Sequence, residues 1–258
     1  MAAVPYGTLA GVYEWLVPDS VRTPEGCVAA FGPVIDSLHP GMRVLDCGAG
    51  AGQLAIGLQL RGFDVVAADA SAAMLARATE LATDRGLDLT TVVCRWEQLV
   101  DQGWAESFDV VFCVGNSLMH APERDGRQFA LAQMAAVLRP SGLVVLTSRN
   151  WELVRSQGSG LSIANQVVER DGRRGIVVYA WTLGEEWDDR HTVDVAVAVI
   201  ESTDSVTTHA ERLAFWPFRH QALDEDLHAV GLSPESSTYT PDKERYLVTA
   251  RRNANAIV

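Results

Sequence analysis

The sequence predicts an α/β fold: a doubly wound, mostly parallel sheet with an antiparallel β lid inserted after the fifth strand. Three observations carry this. Between residues 42 and 149, short apolar runs alternate with helical stretches, which indicates parallel strands covered on both faces. A glycine-rich loop closes the first of those runs, at the carboxyl end where open α/β sheets bind ligands. After residue 150 the texture changes to alternating, antiparallel-type strands.

The elements follow in order. Met42-Arg43-Val44-Leu45-Asp46-Cys47 reads as a buried strand, and residues 52–61 as a helix with Leu54, Leu58 and Leu60 apolar. The second strand is Phe63-Asp64-Val65-Val66-Ala67-Ala68. Ser71 is a good N-cap for the helix 72–85, and Gly86 stops it. Leu89 to Cys94 and Phe108 to Val114 are the third and fourth strands. A helix over 125–138 is punctuated by Pro140 and Gly142, and Leu143 to Thr147 is the fifth strand. Residues 161–170 and 175–183 read as strands joined through Asp171-Gly172, a hairpin signal. In 191–200, Val193, Val195, Val197 and Val199 alternate with Asp194, Ala196 and Ala198, and 206–216 continues the trend. A helix at about 220–230 and a strand at about 244–251 end the chain. We expect one domain over 1–258: a core at 40–150, the insertion at 155–219, and the last helix and strand of the core sheet within 220–258.

Composition narrows the partners. Of the 258 residues, 21 are Lys or Arg and 33 Asp or Glu, a net charge of −12. Lys243 is the only lysine. That balance argues against duplex nucleic acid, whose binding needs cations to displace counterions, and against an anionic membrane surface. Cys27, Cys47, Cys94 and Cys113 have neither zinc-site nor disulfide-framework spacing, so reduced, buried thiols in a cytoplasmic protein are expected. Met1 to Tyr6 carries no visible signal peptide, and no apolar run reaches the roughly 18–20 residues that span a bilayer.

The loop reads Asp46-Cys47-Gly48-Ala49-Gly50-Ala51-Gly52. Gln53 breaks the G-x-G-x-x-G of dinucleotide binders, leaving acidic-x-G-x-G-x-G. Asp69, which closes the second strand, can accept both hydroxyls of a ribose, and nothing basic in the loop asks for a phosphate. These residues resemble the class I S-adenosylmethionine-dependent methyltransferases, with their Rossmann-like fold. The resemblance implies Gly48, Gly50 and Gly52 beside the cofactor, Asp46 near its ammonium and Asp69 on its ribose. Ala70 and Met74 would flank adenine, Met74 alternatively packing in the core. Trp96, in Cys94-Arg95-Trp96-Glu97, either stacks on adenine or is a core tryptophan. Ala49, Arg95, Glu97 and Val114 belong to the same implied cofactor shell.

Two later segments narrow the resemblance: Gly115-Asn116-Ser117-Leu118-Met119-His120 and Ser148-Arg149-Asn150-Trp151-Glu152. With Trp96 they resemble glycine N-methyltransferase and its small-amine relatives over roughly residues 10–155. That resemblance implies Asn116 and Ser117 at the junction of cofactor and acceptor, His120 nearby, and Arg149 receiving an acceptor carboxylate. Arg22 would meet the cofactor carboxylate, and Tyr13 and Trp15 would lie in a segment closing over the site. Where the family has a tyrosine this chain has Trp15-Leu16, and where it has two tyrosines before proline it has Phe215-Trp216-Pro217. The expected acceptor surface is therefore aromatic without those phenol hydroxyls, which favours an amine larger or more apolar than glycine.

Methyl transfer from a sulfonium is an in-line displacement that needs alignment more than a base when the acceptor is an unprotonated amine. A hydroxyl acceptor would need one, for which His120, His209 and His220 are candidates. The run Glu185, Glu186, Asp188, Asp189 lacks a histidine at ligand spacing, so no metal is expected. Arg170, Arg173 and Arg174 crowd the hairpin, as a solvated tip or as carboxylate contacts. The expected activity is N-methylation of a small amine, with S-adenosylhomocysteine as cofactor product. The alternatives are O- or C-methylation of a secondary metabolite, or a non-enzymatic protein that binds the cofactor.

Overall fold

The computed structural model describes residues 5–163, 167–170, 172–201 and 205–254. Short helical turns at Ala10–Trp15 and Asp19–Val21 lead into α1 (Pro24–Ala30) and α2 (Gly32–Ile35). Then follow β1 (Arg43–Cys47), α3 (Gln53–Leu60), β2 (Asp64–Asp69), α4 (Ala72–Thr83), β3 (Thr90–Val93) and β4 (Phe108–Cys113). Next come α5 (Glu123–Val137), β5 (Leu138–Arg149) and α6 (Trp151–Gln157). The insertion holds β6 (Gly160–Ile163), β7 (Val168–Arg170), β8 (Arg173–Thr182), β9 (His191–Ile200) and β10 (Val206–Phe215). The chain closes with α7 (His220–Ala229), β11 (Leu232–Ser237) and β12 (Arg245–Arg252).

The core sheet has seven strands in the order β11-β12-β5-β4-β1-β2-β3. β1 pairs in parallel with β2 and β4, while β12 runs antiparallel to both β5 and β11. Side chains alternate between two cores, as a sheet covered on both faces requires. Leu45, Cys47, Val66 and Val111 meet Leu131 and Met134 of α5 and Leu227 of α7. Val44, Val65, Ala67 and Phe112 meet Leu54 and Leu58 of α3, Ala78 of α4 and Val28 of α1.

The second sheet is β10-β9-β8-β6, all antiparallel, with β7 also on β8. The alternation in 191–200 sets its inner face: Val193, Val195, Val197 and Val199 are buried, together with Leu9, Trp15 and Trp151. Four cysteines are buried and free. Among the described residues no helix is long and apolar enough to cross a membrane.

Several expectations are corrected. The fifth strand begins directly after α5 and runs to Arg149, with a register shift against β4 between Phe108 and Val110 that accommodates Pro140 and Gly142. The stretch 161–170 is two short strands, β6 and β7, and its middle lies outside the described residues. Of the hairpin pair Asp171-Gly172, Asp171 also lies outside them; Gly172 has φ of +75°. The expected leaderless start at Met1 likewise falls on undescribed residues, up to Val4. The sequence carries no signal for β11, because Pro234 and its serines hide a strand; as an edge strand with a shift at Pro234 it tolerates the proline.

Candidate active site

The glycine loop leaves β1 at the carboxyl edge of the sheet. Gly48, Gly50 and Gly52 all have positive φ, at +93°, +56° and +79°, where a side chain is strained. Their surroundings differ. A Cβ on Gly48 would lie 3.2 Å from Ser117 Oγ and 3.8 Å from the Trp96 ring, and so would crowd Ser117. A Cβ on Gly52 would lie 2.7 Å from the Ala78 Cβ, so this glycine lets α3 pack on α4. Met74, 2% exposed, props the loop from beneath at Gly50. The Asp69 carboxylate accepts the Gly50 and Ser71 backbone N–H at 2.9 and 2.8 Å, which ties the loop to the end of β2.

Two cavities flank Gly48 and Ser117. One, of about 650 Å³, is lined by Asp69, Ala70, Arg95, Trp96 and Glu97 from the core, and by Glu211, Arg212 and Trp216 from the end of the insertion. The other, of about 520 Å³, is lined by Asp46, Ala49, Val114, Asn116 and Arg149, by Tyr6 and Tyr13 of the N-terminal segment, and by Tyr179 and Trp181 of β8. Gly48, Ser117, Tyr6 and Leu213 line both. The second sheet and the N-terminal segment thus cover the carboxyl ends of the parallel strands. Glu211 pins that segment: it accepts the Tyr6 backbone N–H at 2.7 Å and the Thr8 hydroxyl at 2.6 Å.

Charge in this region is separated. Asp46 is buried, its Oδ1 has no hydrogen-bond partner, and burial, aided by Asp69, pushes its carboxyl up to about 7. Burial also raises Asp69. Across the 520 Å³ cavity the Arg149 guanidinium lies 5.4 Å over the Trp181 ring, and burial followed by the like charge of Arg245 lowers its pKa. Among the described residues Arg149 has no ion-pair partner. Asn116, in the left-handed region at φ +69°, accepts the Arg149 backbone N–H at 2.8 Å and so joins the ends of β4 and β5. Burial pushes Tyr13 up to about 12 and Tyr6 higher, so both phenols stay protonated donors at neutral pH.

The sequence-derived residues divide among these places. Asp69, Ala70, Arg95, Trp96 and Glu97 gather in one cavity; Tyr13, Asp46, Ala49, Val114, Asn116 and Arg149 gather in the other. His120 and Trp216 lie in the first, apart from Asn116 and Arg149. The His120 Nδ1 is 2.9 Å from the Ala214 carbonyl oxygen, and burial lowers its pKa. Trp15 and Phe215 line neither cavity: Trp15 is packed in the core of the second sheet, and Phe215 stacks on Trp151 at 5.0 Å. Met74 takes its core alternative. Arg22 lines neither cavity and stands 3.7 Å from Asp19, while its neighbours Ser20 and Val21 line the 520 Å³ one. The expected lack of phenols is corrected, since Tyr6, Tyr13, Tyr179 and Tyr246 all border that cavity. Tyr6, Tyr179, Trp181 and Arg245 escaped sequence reasoning. No local motif marks them, and only strand register and the return of the N-terminal segment bring them in.

Residues 44–142 match the family described as "Methyltransferase domain". A glycine/sarcosine N-methyltransferase of Aphanothece halophytica is 39% identical over 120 residues, 46% of this chain and 45% of that enzyme. The chain thus spans about half the length of the curated relatives it matches. Among solved structures, an S-adenosylmethionine-dependent methyltransferase from Clostridium acetobutylicum ATCC 824 superposes with a TM-score of 0.74 at 14% identity, covering 96% of this chain and 99% of that one. The sugar N-methyltransferase KedS8 from Streptoalloteichus sp ATCC 53650 gives 0.72 at 20% identity, covering 98% and 96%. The fold is that of the class I methyltransferases.

Proposed function

We propose that this chain is an S-adenosylmethionine-dependent methyltransferase that methylates the nitrogen of a small amine carrying a carboxylate. The observation that carries the reading is one cavity lined by both buried Asp46 and half-buried Arg149, which has no ion-pair partner among the described residues, with Gly48 shared between it and the cavity of Asp69. The glycine/sarcosine N-methyltransferase relative supports an amino-acid acceptor.

The residues fit the cofactor. Asp46 leaves a buried oxygen unsatisfied, which an ammonium would satisfy. Gly48 borders both cavities without a side chain, which suits a cofactor with an amino-acid part and a nucleoside part. Asp69, although it already accepts two backbone N–H groups, keeps lone pairs for ribose hydroxyls. Ala70 and Trp96 offer apolar surface for a base. When bound, the cofactor supplies an electrophilic methyl carbon on a sulfonium and leaves as a neutral thioether.

What the chain itself contributes is placement. Arg149, held by Trp181 and by its backbone bond to Asn116, receives the acceptor carboxylate; this fixes where the amine nitrogen stands. Holding two reactants at near-attack distance supplies roughly 7–11 kcal/mol of a bimolecular barrier. An amine with a pKa of about 10 costs about 1.36 kcal/mol per unit to deprotonate at lower pH, which needs no strong base. His120 lies in the other cavity with Nδ1 on a carbonyl, which argues against a proton-transfer role in the acceptor cavity.

Calorimetric titration with the cofactor, then mass-spectrometric product analysis over a panel of amines, alcohols and phenols, tests the reading. We expect binding and N-methyl products. Failure to bind overturns the whole reading; exclusive methylation of hydroxyls overturns its nitrogen part. Arg149→Gln should raise KM for a carboxylate-bearing amine about 10- to 100-fold, the loss of a charged hydrogen-bond pair, and change cofactor affinity less than about twofold. Equal loss of both removes its role. A second reading, a neutral amino-sugar acceptor, is favoured by the aromatic walls Tyr6, Tyr179 and Trp181 and predicts indifference to that substitution.

A further inference from the structure

The acceptor cavity contains a second cation that no motif marked. Arg245, the first residue of β12, lies directly opposite Arg149 in the antiparallel β5–β12 register. Directly opposed residues in such a pair project on the same side of the sheet, with Cβ atoms about 4.5–5.5 Å apart, and like charges there are destabilising. Both arginines line the same 520 Å³ cavity. The repulsion is felt: after burial, Arg245 is the largest influence lowering the Arg149 pKa. Glu244 offsets it only from a distance, since among the described residues neither arginine has a carboxylate within ion-pair reach. Elsewhere the chain pairs its arginines readily, as Arg212 with Asp194 and Arg251 with Glu235.

Two adjacent guanidiniums, one half-buried and one exposed, line one cavity in a chain of net charge −12 with no carboxylate within ion-pair reach among the described residues, and their mutual repulsion is relieved by an anionic ligand. A lone acceptor carboxylate neutralises one. We infer that Arg245 is a specificity residue and that the acceptor carries two acidic groups beside its amine, an aminodicarboxylate rather than a glycine-like monocarboxylate. This deepens the reading of the site given above and rests on it. Arg149, the more buried, takes the carboxylate that sets the amine; the exposed Arg245 takes the second acid at the cavity mouth.

The test uses isosteric pairs that differ only in the second charge: aspartate against asparagine, and glutamate against glutamine. Binding to the full chain saturated with S-adenosylhomocysteine is measured by calorimetry, and turnover by product formation. We expect at least one acid of the two pairs to be preferred about tenfold or more over its amide, equivalent to about 1.4 kcal/mol. In Arg245→Gln that ratio should fall towards one, through KM rather than kcat, whereas Arg245→Lys should keep part of it. Equal binding of acid and amide, absence of binding by all four, or a preference unchanged in Arg245→Gln overturns the inference. Methylation of amines without an acid preference fails this inference and leaves the N-methyltransferase reading standing. Preferential acid binding without methyl transfer does the reverse.

Discussion

Burial raises the Asp46 carboxyl to about 7, against an ordinary value near 3.9, so the fold favours its neutral form. The stability this lends is fully present below about pH 4 and is lost as pH rises through 7. It amounts to a few kcal/mol at the order-of-magnitude level. A cationic ligand group has the opposite preference and selects the carboxylate. Cofactor affinity should therefore rise with pH up to about 7, by at most tenfold per unit, and level off above it, with proton release below pH 7 visible as a dependence of binding heat on buffer. Asp46→Asn should be more stable than the parent at pH 8, bind the cofactor more weakly, and lose the pH slope. A slope that persists in the variant would assign it to another group. The residue that makes the site is thus one the fold would be better without, a conflict expected at functional positions.

Among the elements, the contact that joins the N-terminal segment to the insertion leaves no room for a side chain at Gly175. The turn Ala10–Trp15 lies against β8, and a Cβ on Gly175 would stand 2.6 Å from Cζ3 of the Trp15 ring and 3.1 Å from the Ala198 carbonyl oxygen. An indole edge and a strand backbone have little room to yield, so Gly175→Ala should cost about 1–3 kcal/mol. Because Tyr13 belongs to the same turn and lines the 520 Å³ cavity, KM should rise and tryptophan fluorescence shift red. Gly160→Ala, with nothing within 4 Å of the new methyl, serves as the control and should change neither. This contact also marks the limit of what the sequence reveals. The valine alternation of β9 and the glycine loop after β1 are periodic or local signals, and they were legible. Trp15 and Phe215 read as acceptor contacts because an aromatic side chain in sequence carries no direction; both turn into the core of the second sheet. Arg245 stays invisible because its meaning comes from lying opposite Arg149, 96 positions earlier in the chain, and only register supplies that. The signals for α1 were present but short: Thr23 caps it by accepting the Gly26 N–H, and Pro24 fills its first turn.

At the scale of the whole molecule, the returning C-terminal part must be held against the core sheet that the site is built on. α7 is anchored to α5 by Asp226, fully buried and bonded to Arg127 at 2.6 Å, Arg124 at 2.9 Å and Gln128 at 2.8 Å. Arg127 also lies 4.8 Å over the Phe218 ring, in the linker that leads from the insertion to α7. Neither Asp226 nor Arg127 lines either cavity, so this network bears on stability and not on chemistry. Removing one partner of a buried pair strands the other charge, at about 3–5 kcal/mol. Against a typical net stability of about 5–15 kcal/mol, that is a large fraction. Asp226→Ala should lower Tm by about 6–20 °C, at roughly 2–4 °C per kcal/mol for a chain of this size. Well below the new Tm, kcat/KM per folded molecule should match the parent. Replacing Arg127 as well, in Arg127→Met with Asp226→Ala, should recover part of the loss, because an apolar side chain in that space carries no stranded charge. If the double variant is no more stable than Asp226→Ala alone, the loss came from packing around Asp226 and not from an unpaired guanidinium.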